Sequence, residues 1–263
     1  MNFSSYKQSL KGFIKFQPLL RELVVRDIKV RYRHSFLGLV WTVLNPLLMM
    51  TVLSVVFSSM FKSTISNFPV YVLIGSIVFN FNSEATTQGM NSILWNASLI
   101  KKVYIPKYLF PMSNVVSSLV NFGFSFISLI IVMLITKAPF HITIVTIWIP
   151  LVYLFMFSFG LGLILCAINV YFRDMAHIYG VFVTAWMYLT PIFYSIDIAP
   201  SFFRKAIVIN PMYHFVMFFR KIIMDGIFPG VQSNLILILL SIGMLFLGLF
   251  TFSKLQDNFI LRI

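Results

Sequence analysis

Few side chains in this chain could do covalent chemistry. Its 263 residues include seven carboxylates, four histidines and one cysteine. His34, His141, His177 and His214 stand isolated, no two carboxylates are paired at catalytic spacing, and neither a G-x-x-x-x-G-K-[ST] phosphate loop nor a G-x-S-x-G elbow occurs. Cys166 lies in an apolar run, so an internal disulfide is impossible and the thiol reads as a packing residue. An enzyme is therefore not expected, and neither is a bound nucleotide or metal. What remains is hydrogen bonding, ring stacking and charge, carried by polar residues set inside apolar runs. Trp41 and Asn45 are four apart, Asn80, Asn82, Ser83 and Glu84 interrupt a second run, and Asn114, Ser117, Asn121, Ser125 and Ser128 recur at spacings of three and four. Tyr179, Phe182, Trp186, Thr190 and Phe193 form a further stripe, with Tyr188 beside it.

The elements that must carry these groups are membrane spans. The chain is 59% hydrophobic and 10% charged, with a mean hydropathy of +0.93, far from soluble-domain averages. Its formal net charge of +13 comes from 20 basic residues clustered at the ends of apolar runs. That arrangement suits anionic lipid headgroups, not nucleic acid. Lys7, Lys11 and Lys15 are too dispersed, with no short apolar core behind them, for a cleavable signal, so the spans are expected to carry their own targeting.

The expected fold is an all-α polytopic membrane protein with two parts: an interfacial amphipathic segment over residues 1–34 and a single transmembrane domain over 35–263. In the first, a helix from Pro18 would put Leu20, Leu23, Val24 and Ile28 on one side, with Glu22 to Arg26 and Asp27 to Arg31 paired on another. Arg26 to Arg33 then forms a basic elbow, and spans are expected at about 36–61, 68–90, 110–135, 142–168, 178–195 and 235–252. Gly38, Trp41 and Asn45 would share a helix face that meets protein or a water-filled path, and Pro46 would kink the first span. The second span must include Asn80 and Glu84 to be long enough, unless Glu84 marks the inner interface. The small polar face of the third span suits either close helix packing or a pore wall. The stripe of the fifth suits either sugar stacking or ordinary packing. Between residues 195 and 233, Asn210-Pro211 should separate two short helices, over about 200–226. Arg204, Lys205, Arg220 and Lys221 would reach from them toward headgroups.

Fourteen of the 20 Lys and Arg fall in the N-terminal region, the Lys101 loop, the Arg173 corner and the tail, which predicts cytoplasmic termini and an outward-facing helical pair.

Several motifs, taken in order, carry a family resemblance. They are R-D-x-K-x-R-Y-R from Arg26, S-x-L-G-x-x-W with Asn45-Pro46, and G-x-x-x-F-N ending at Asn80 with Glu84. N-x-x-L-I-K-K-V-Y-x-P follows from Asn96, then F-R-D at Phe172, T-P-I-x-Y at Thr190, N-P-x-Y at Asn210 and F-R at Phe219. Together they resemble the polysaccharide-exporting permeases of the ABC type 2 membrane family, which move O-antigen, capsule or teichoic-acid polymers across the bacterial inner membrane. The resemblance implies a homodimer of six-span subunits with the pore between them, and a separate ATPase subunit that binds ATP and Mg beneath each. It implies a coupling helix at about 92–106, with Asn96, Leu99, Lys101, Lys102, Val103, Tyr104, Ile105 and Pro106 facing the ATPase. It also implies a pore lined by aromatic and polar groups, for which the candidates are Trp41, Asn45, Asn80, Glu84, Asn114, Ser117, Asn121, Tyr179, Trp186 and Tyr188. The cargo would be a polymer on a lipid diphosphate that Arg204, Lys205, Arg220 and Lys221 attract, with headgroup anchoring as the alternative role of those cations. Asn80 stands where relatives often carry Trp. A type 2 permease for a small lipid or drug, and a passive channel or scaffold, remain the alternatives.

Overall fold

The computed structural model describes residues 3–32, 37–61, 65–196 and 200–263, with the side chains of 16–30, 37–56, 65–196, 200 and 202–263. Among the described residues every regular element is a helix: α1 (Phe3–Tyr32), α2 (Val40–Phe61), α3 (Phe68–Trp95), α4 (Ala97–Lys102), α5 (Leu109–Ile135), α6 (Trp148–Tyr171), α7 (Met175–Leu189), α8 (Ser201–Ile209), α9 (Pro211–Ile223), α10 (Val231–Leu255) and α11 (Phe259–Arg262). A 3-10 turn, Ile142–Ile147, leads into α6. Three stretches are long and apolar enough to cross a membrane: Leu109–Ile135, Ile142–Tyr171 and Val231–Arg262. The pair α8 and α9, bent by 81° at Asn210-Pro211, would make a fourth if it acts as one broken span.

The centre of the bundle is α3, which packs against α2, α5, α6, α7 and α9. Val72, Ala85 and Ile93 on it are fully enclosed, and so are Thr86 and Ser92, whose hydroxyls meet protein where lipid would leave them unsatisfied. Its start is set by Asn67, whose left-handed backbone (φ 51°) turns the chain while its amide donates to Thr136 Oγ1 at 3.0 Å. Pro69 follows in the first turn, where a missing N–H costs nothing.

The tightest helix contact joins α6 to α10. A Cβ on Gly160 would strike the Met244 carbonyl, and one on Gly248 would strike the carbonyl of Gly160. Close backbone approach through small residues is how membrane helices associate where no hydrophobic force acts between them. The rest of α10 turns Leu239, Phe246 and Phe250 outward, as a lipid-facing helix would.

Several boundaries differ from the sequence-based expectations for physical reasons. Gly38 lies outside α2 in a turn at φ +46°, so it shares no helix face with Trp41 and Asn45. The helix expected as the fifth span, α7, ends early, because Pro191 has no N–H and Thr190 is in extended backbone. Phe193 therefore lies off the α7 stripe and Thr190 at its end. The stretch expected to form one coupling helix over 92–106 is no single helix: α3 runs to Trp95, α4 holds six residues, and Val103 is extended.

Leu23 and Val24 of α1 are buried, and α1 packs against α5, so the apolar side of this segment meets protein. Arg26 pairs with Asp27 at 2.8 Å and not with the expected Glu22. Arg31, Arg33, Phe36 and Lys62, and the lysines before Phe16, lie outside the described side chains.

One end of the bundle gathers the C-terminal residues. Lys107 Nζ donates to the Gln256 carbonyl at 2.6 Å, and Tyr171 OH to the Leu255 carbonyl at 3.1 Å. Phe259 is fully buried against Tyr171 and Phe252. The Lys101 loop, the end of α6 and the chain terminus therefore occupy the same end.

Candidate functional site

Two helices and the middle of a third form a polar cleft of about 730 Å³. Trp41 and Asn45 come from α2, Asn80, Glu84 and Gln88 from α3, and Asn121 from α5. The spacing of four repeats along both α2 and α3, which aligns each set on one helix face. Trp41, Asn45 and Asn80 are exposed in the single chain. Glu84 is the node: Asn121 Nδ2 donates to its Oε1 at 2.6 Å and Gln88 Nε2 to the same oxygen at 3.2 Å. Asn121 Oδ1 is buried without a hydrogen-bond partner. Gln88 is absent from the sequence-based candidates, although its place four residues after Glu84 was a sufficient signal.

The other pore-lining candidates sit elsewhere. Asn114 and Ser117 are buried and donate to carbonyls of their own helix, Phe110 and Ser113. Ser128 donates to the Val43 carbonyl at 2.8 Å and ties α5 to α2. Much of the polar face of α5 is thus a packing seam.

On α7, Tyr179 is buried and shares a 2.7 Å hydrogen bond with Thr86. Trp186 is buried edge-on to Phe79, and its Nε1 donates to Asn210 Oδ1 at 2.6 Å. Packing accounts for both rings, while Phe182 and Tyr188 face outward and exposed.

Asn210 connects the bent pair to the end of α7. Its Oδ1 also accepts from the Met212 N–H at 2.9 Å, capping α9, and its Nδ2 donates to Thr190 Oγ1 at 2.9 Å. Arg220 binds the next two residues. It is 3% exposed, so it does not reach toward headgroups as expected. Nη1 donates to the Pro191 carbonyl at 2.8 Å, and Nη2 to those of Ile192 and Tyr71 at 3.1 Å each. The guanidinium lies 3.3 Å over the Tyr71 ring. Gly75 leaves the space, since a Cβ there would come within 2.9 Å of Nη2. Arg204 and Lys205 are exposed on α8, and Lys221 is half-buried on α9.

At the opposite end, α4 exposes Lys101 and Lys102, followed by Val103 and Tyr104, the latter 94% exposed. Trp95 just before it is 65% exposed, whereas Ile100 is buried and Asn96 donates back to the Ser92 carbonyl at 2.8 Å. Leu99, Ile105 and Pro106 are half-buried. The result is a turn seated by Ile100 with an exposed apolar, basic tip, a surface suited to a protein partner. No cluster of three or more metal-ligating side chains occurs among the described residues.

Comparison with known proteins gives a consistent result. Residues 18–224 match the family described as ABC-2 type transporter. The chain is 31% identical over 256 residues to the O-antigen export system permease protein RfbA of Myxococcus xanthus, covering 95% of this chain and 97% of that one. Its identity to the RfbA protein of Klebsiella pneumoniae is 30% over 246 residues, covering 92% and 93%. The polysialic acid transport protein KpsM of Escherichia coli is 25% identical over 245 residues, covering 90% and 93%.

Proposed function

The chain belongs to the ABC-2 type transporter family, and on that premise we propose that it is the membrane-spanning permease subunit of an ATP-driven exporter of polysaccharide. The observation that carries this reading is similarity over 95% of the chain to an O-antigen export permease. Alongside α5, the Ile142–Tyr171 stretch and α10, the helices α2, α3 and α7 cross the bilayer to make six spans. α3 does so despite its polar residues, because five neighbouring helices surround it. Both termini are cytoplasmic, in keeping with the distribution of Lys and Arg and with the ties of the C-terminal residues to Lys107 and Tyr171. The bent α8–α9 pair lies on the outward side as a re-entrant element, and Arg204, Lys205 and Lys221 on it meet headgroups or a lipid diphosphate.

A separately encoded ATPase supplies ATP and Mg and docks on the Asn96 to Pro106 stretch, with Lys101, Tyr104 and Trp95 at the contact. Two copies of the permease enclose the path, and the cleft around Glu84 is part of its wall. Closure of the ATPase pair presses on α4, and the force passes directly into α3, since only Asn96 separates the two helices. A lipid-linked polymer then threads outward.

Deleting the gene tests the cargo: surface glycan should disappear and return on complementation, and intact glycan would contradict polymer export. Tyr104→Ala tests coupling. With purified permease and ATPase in nanodiscs, stimulation of ATP hydrolysis by the permease should fall about tenfold, as for an interface hot spot. Unchanged stimulation would remove this stretch as the contact.

A further inference from the structure

We propose that residues 256–262 form a hook that anchors the far end of the coupling stretch, with Lys107 and Phe259 as positioning residues that direct the stroke of the ATPase into α3. This rests on the permease reading above and adds the part that holds still while α4 moves. The coupling stretch is attached to the bundle at two places. Asn96 alone joins α4 to α3, while Val103 to Tyr108 lead from α4 into α5. A push on α4 is shared between those two attachments unless one of them is fixed.

The hook fixes the second one. Beyond α10 the chain turns through Gln256–Asn258 into α11. Lys107, just before α5, donates from Nζ to the Gln256 carbonyl at 2.6 Å, and its charge lies 5.9 Å over the Phe259 ring. Tyr171, the last residue of α6, donates to the Leu255 carbonyl at 3.1 Å. Its ring meets Phe259 edge-on at 6.3 Å and carries the Arg262 guanidinium at 5.5 Å. Phe252 of α10 closes the other side of Phe259 at 5.4 Å. One fully buried ring is thus gripped at once by the root of α5, the end of α6 and the end of α10. Those last two helices make the closest backbone approach in the bundle, at Gly160 and Gly248, so the anchor is set in its stiffest part. The cations of this loop divide the work accordingly. Lys101 and Lys102 are exposed at the tip, whereas Lys107 is half-buried and turned back to the hook.

The test uses the full chain with its ATPase in nanodiscs, and surface glycan in cells at matched permease abundance. Lys107→Met should leave the ATPase concentration for half-maximal stimulation unchanged within error, because the docking tip is intact, and should lower surface glycan about fivefold. Lys107→Arg keeps a donor and a cation for the Phe259 ring and should restore glycan to within about twofold of wild type. Phe259→Leu fills most of the same volume without a ring and should lose export as Lys107→Met does, which keeps the hook testable should Lys107→Met fail to accumulate. The double variant should lose no more than either single one, since both cut the same tie. A shifted half-maximal concentration, wild-type glycan in both single variants, additive losses, or Arg serving no better than Met overturns the hook and leaves the permease reading standing. A wild-type permease that does not stimulate the ATPase overturns that reading and the hook with it.

Discussion

Glu84 and Arg220 are both ionisable groups inside an apolar helical body, and they are housed in opposite ways. Arg220 is closed off, stacked on Tyr71, and directs its terminal nitrogens to three backbone carbonyls within its own fold. Glu84 borders an open cleft, held from the side by two amides whose neighbours Asn80 and Asn45 are exposed. The difference separates polar groups that build the bundle from those that serve it. A buried cation whose terminal nitrogens are matched by backbone acceptors fixes geometry, even with its Nε unpaired, while a held carboxylate beside unfilled space can meet something that arrives.

Arg220→Met gives the sharpest way to break that division. The carbonyls of Pro191, Ile192 and Tyr71 would lose their donor at a buried site, and each buried unsatisfied group costs about 1–3 kcal/mol. We expect a loss of roughly 3 kcal/mol or more, read as a large drop in the melting temperature of detergent-solubilised protein. Arg220→Lys should recover only part of it, because an ammonium cannot lie flat on Tyr71 and serve three carbonyls at once. A melting curve identical to wild type would show that the closed site does not anchor the fold.

Asn210→Ala comes next. It removes the cap of α9, the partner of Trp186 Nε1 and the donor to Thr190, for about 2 kcal/mol. Asn210→Asp keeps both acceptor roles and should lose less. If the two substitutions melt alike, the acceptor bonds are not what holds the end of α7.

Asn121→Leu probes the boundary between the two kinds of site, since this residue is buried yet points its amide at the cleft. Losing the 2.6 Å bond to Glu84 should lower stability by about 1–2 kcal/mol and export by a larger factor than the same loss of stability produces at Asn210. Parallel losses at the two positions would erase the distinction.

How much of this was legible in the sequence follows the same line. Local signals worked in part: Asn210-Pro211 announced a helix start, and the spacing of Trp41 and Asn45 revealed a shared face, whereas Asn80 and Glu84 stood out only as polar residues that the second span had to include. Pro191 carried the signal for the early end of α7, but the apolar run through Phe193 masked it. The fate of Arg220 could not be read at all. Its partners lie 28, 29 and 149 residues away, and only the assembled fold brings those carbonyls around one guanidinium. The bond from Asn121 to Glu84, across 37 residues, was beyond local pattern for the same reason. Charge distribution along the chain predicted that Arg220 would sit at a surface, because composition records how many cations there are and not which of them the backbone encloses.

The smallest effect on stability should come from the cleft itself, at Asn80→Ala. The side chain is exposed, and removing an exposed amide from a helix surface typically changes stability by no more than about 0.5 kcal/mol. Alanine also has the higher helix propensity, which offsets part of any loss. A melting temperature within error of wild type is therefore expected, together with reduced surface glycan at equal permease levels, because one wall of the path has lost both a donor and an acceptor. Measuring both in the same cells gives the comparison its finest edge. Export that falls only as far as protein abundance falls would place Asn80 with Arg220 and Asn210 as a group the bundle uses for its own packing, and the open cleft would then have no claim on the cargo.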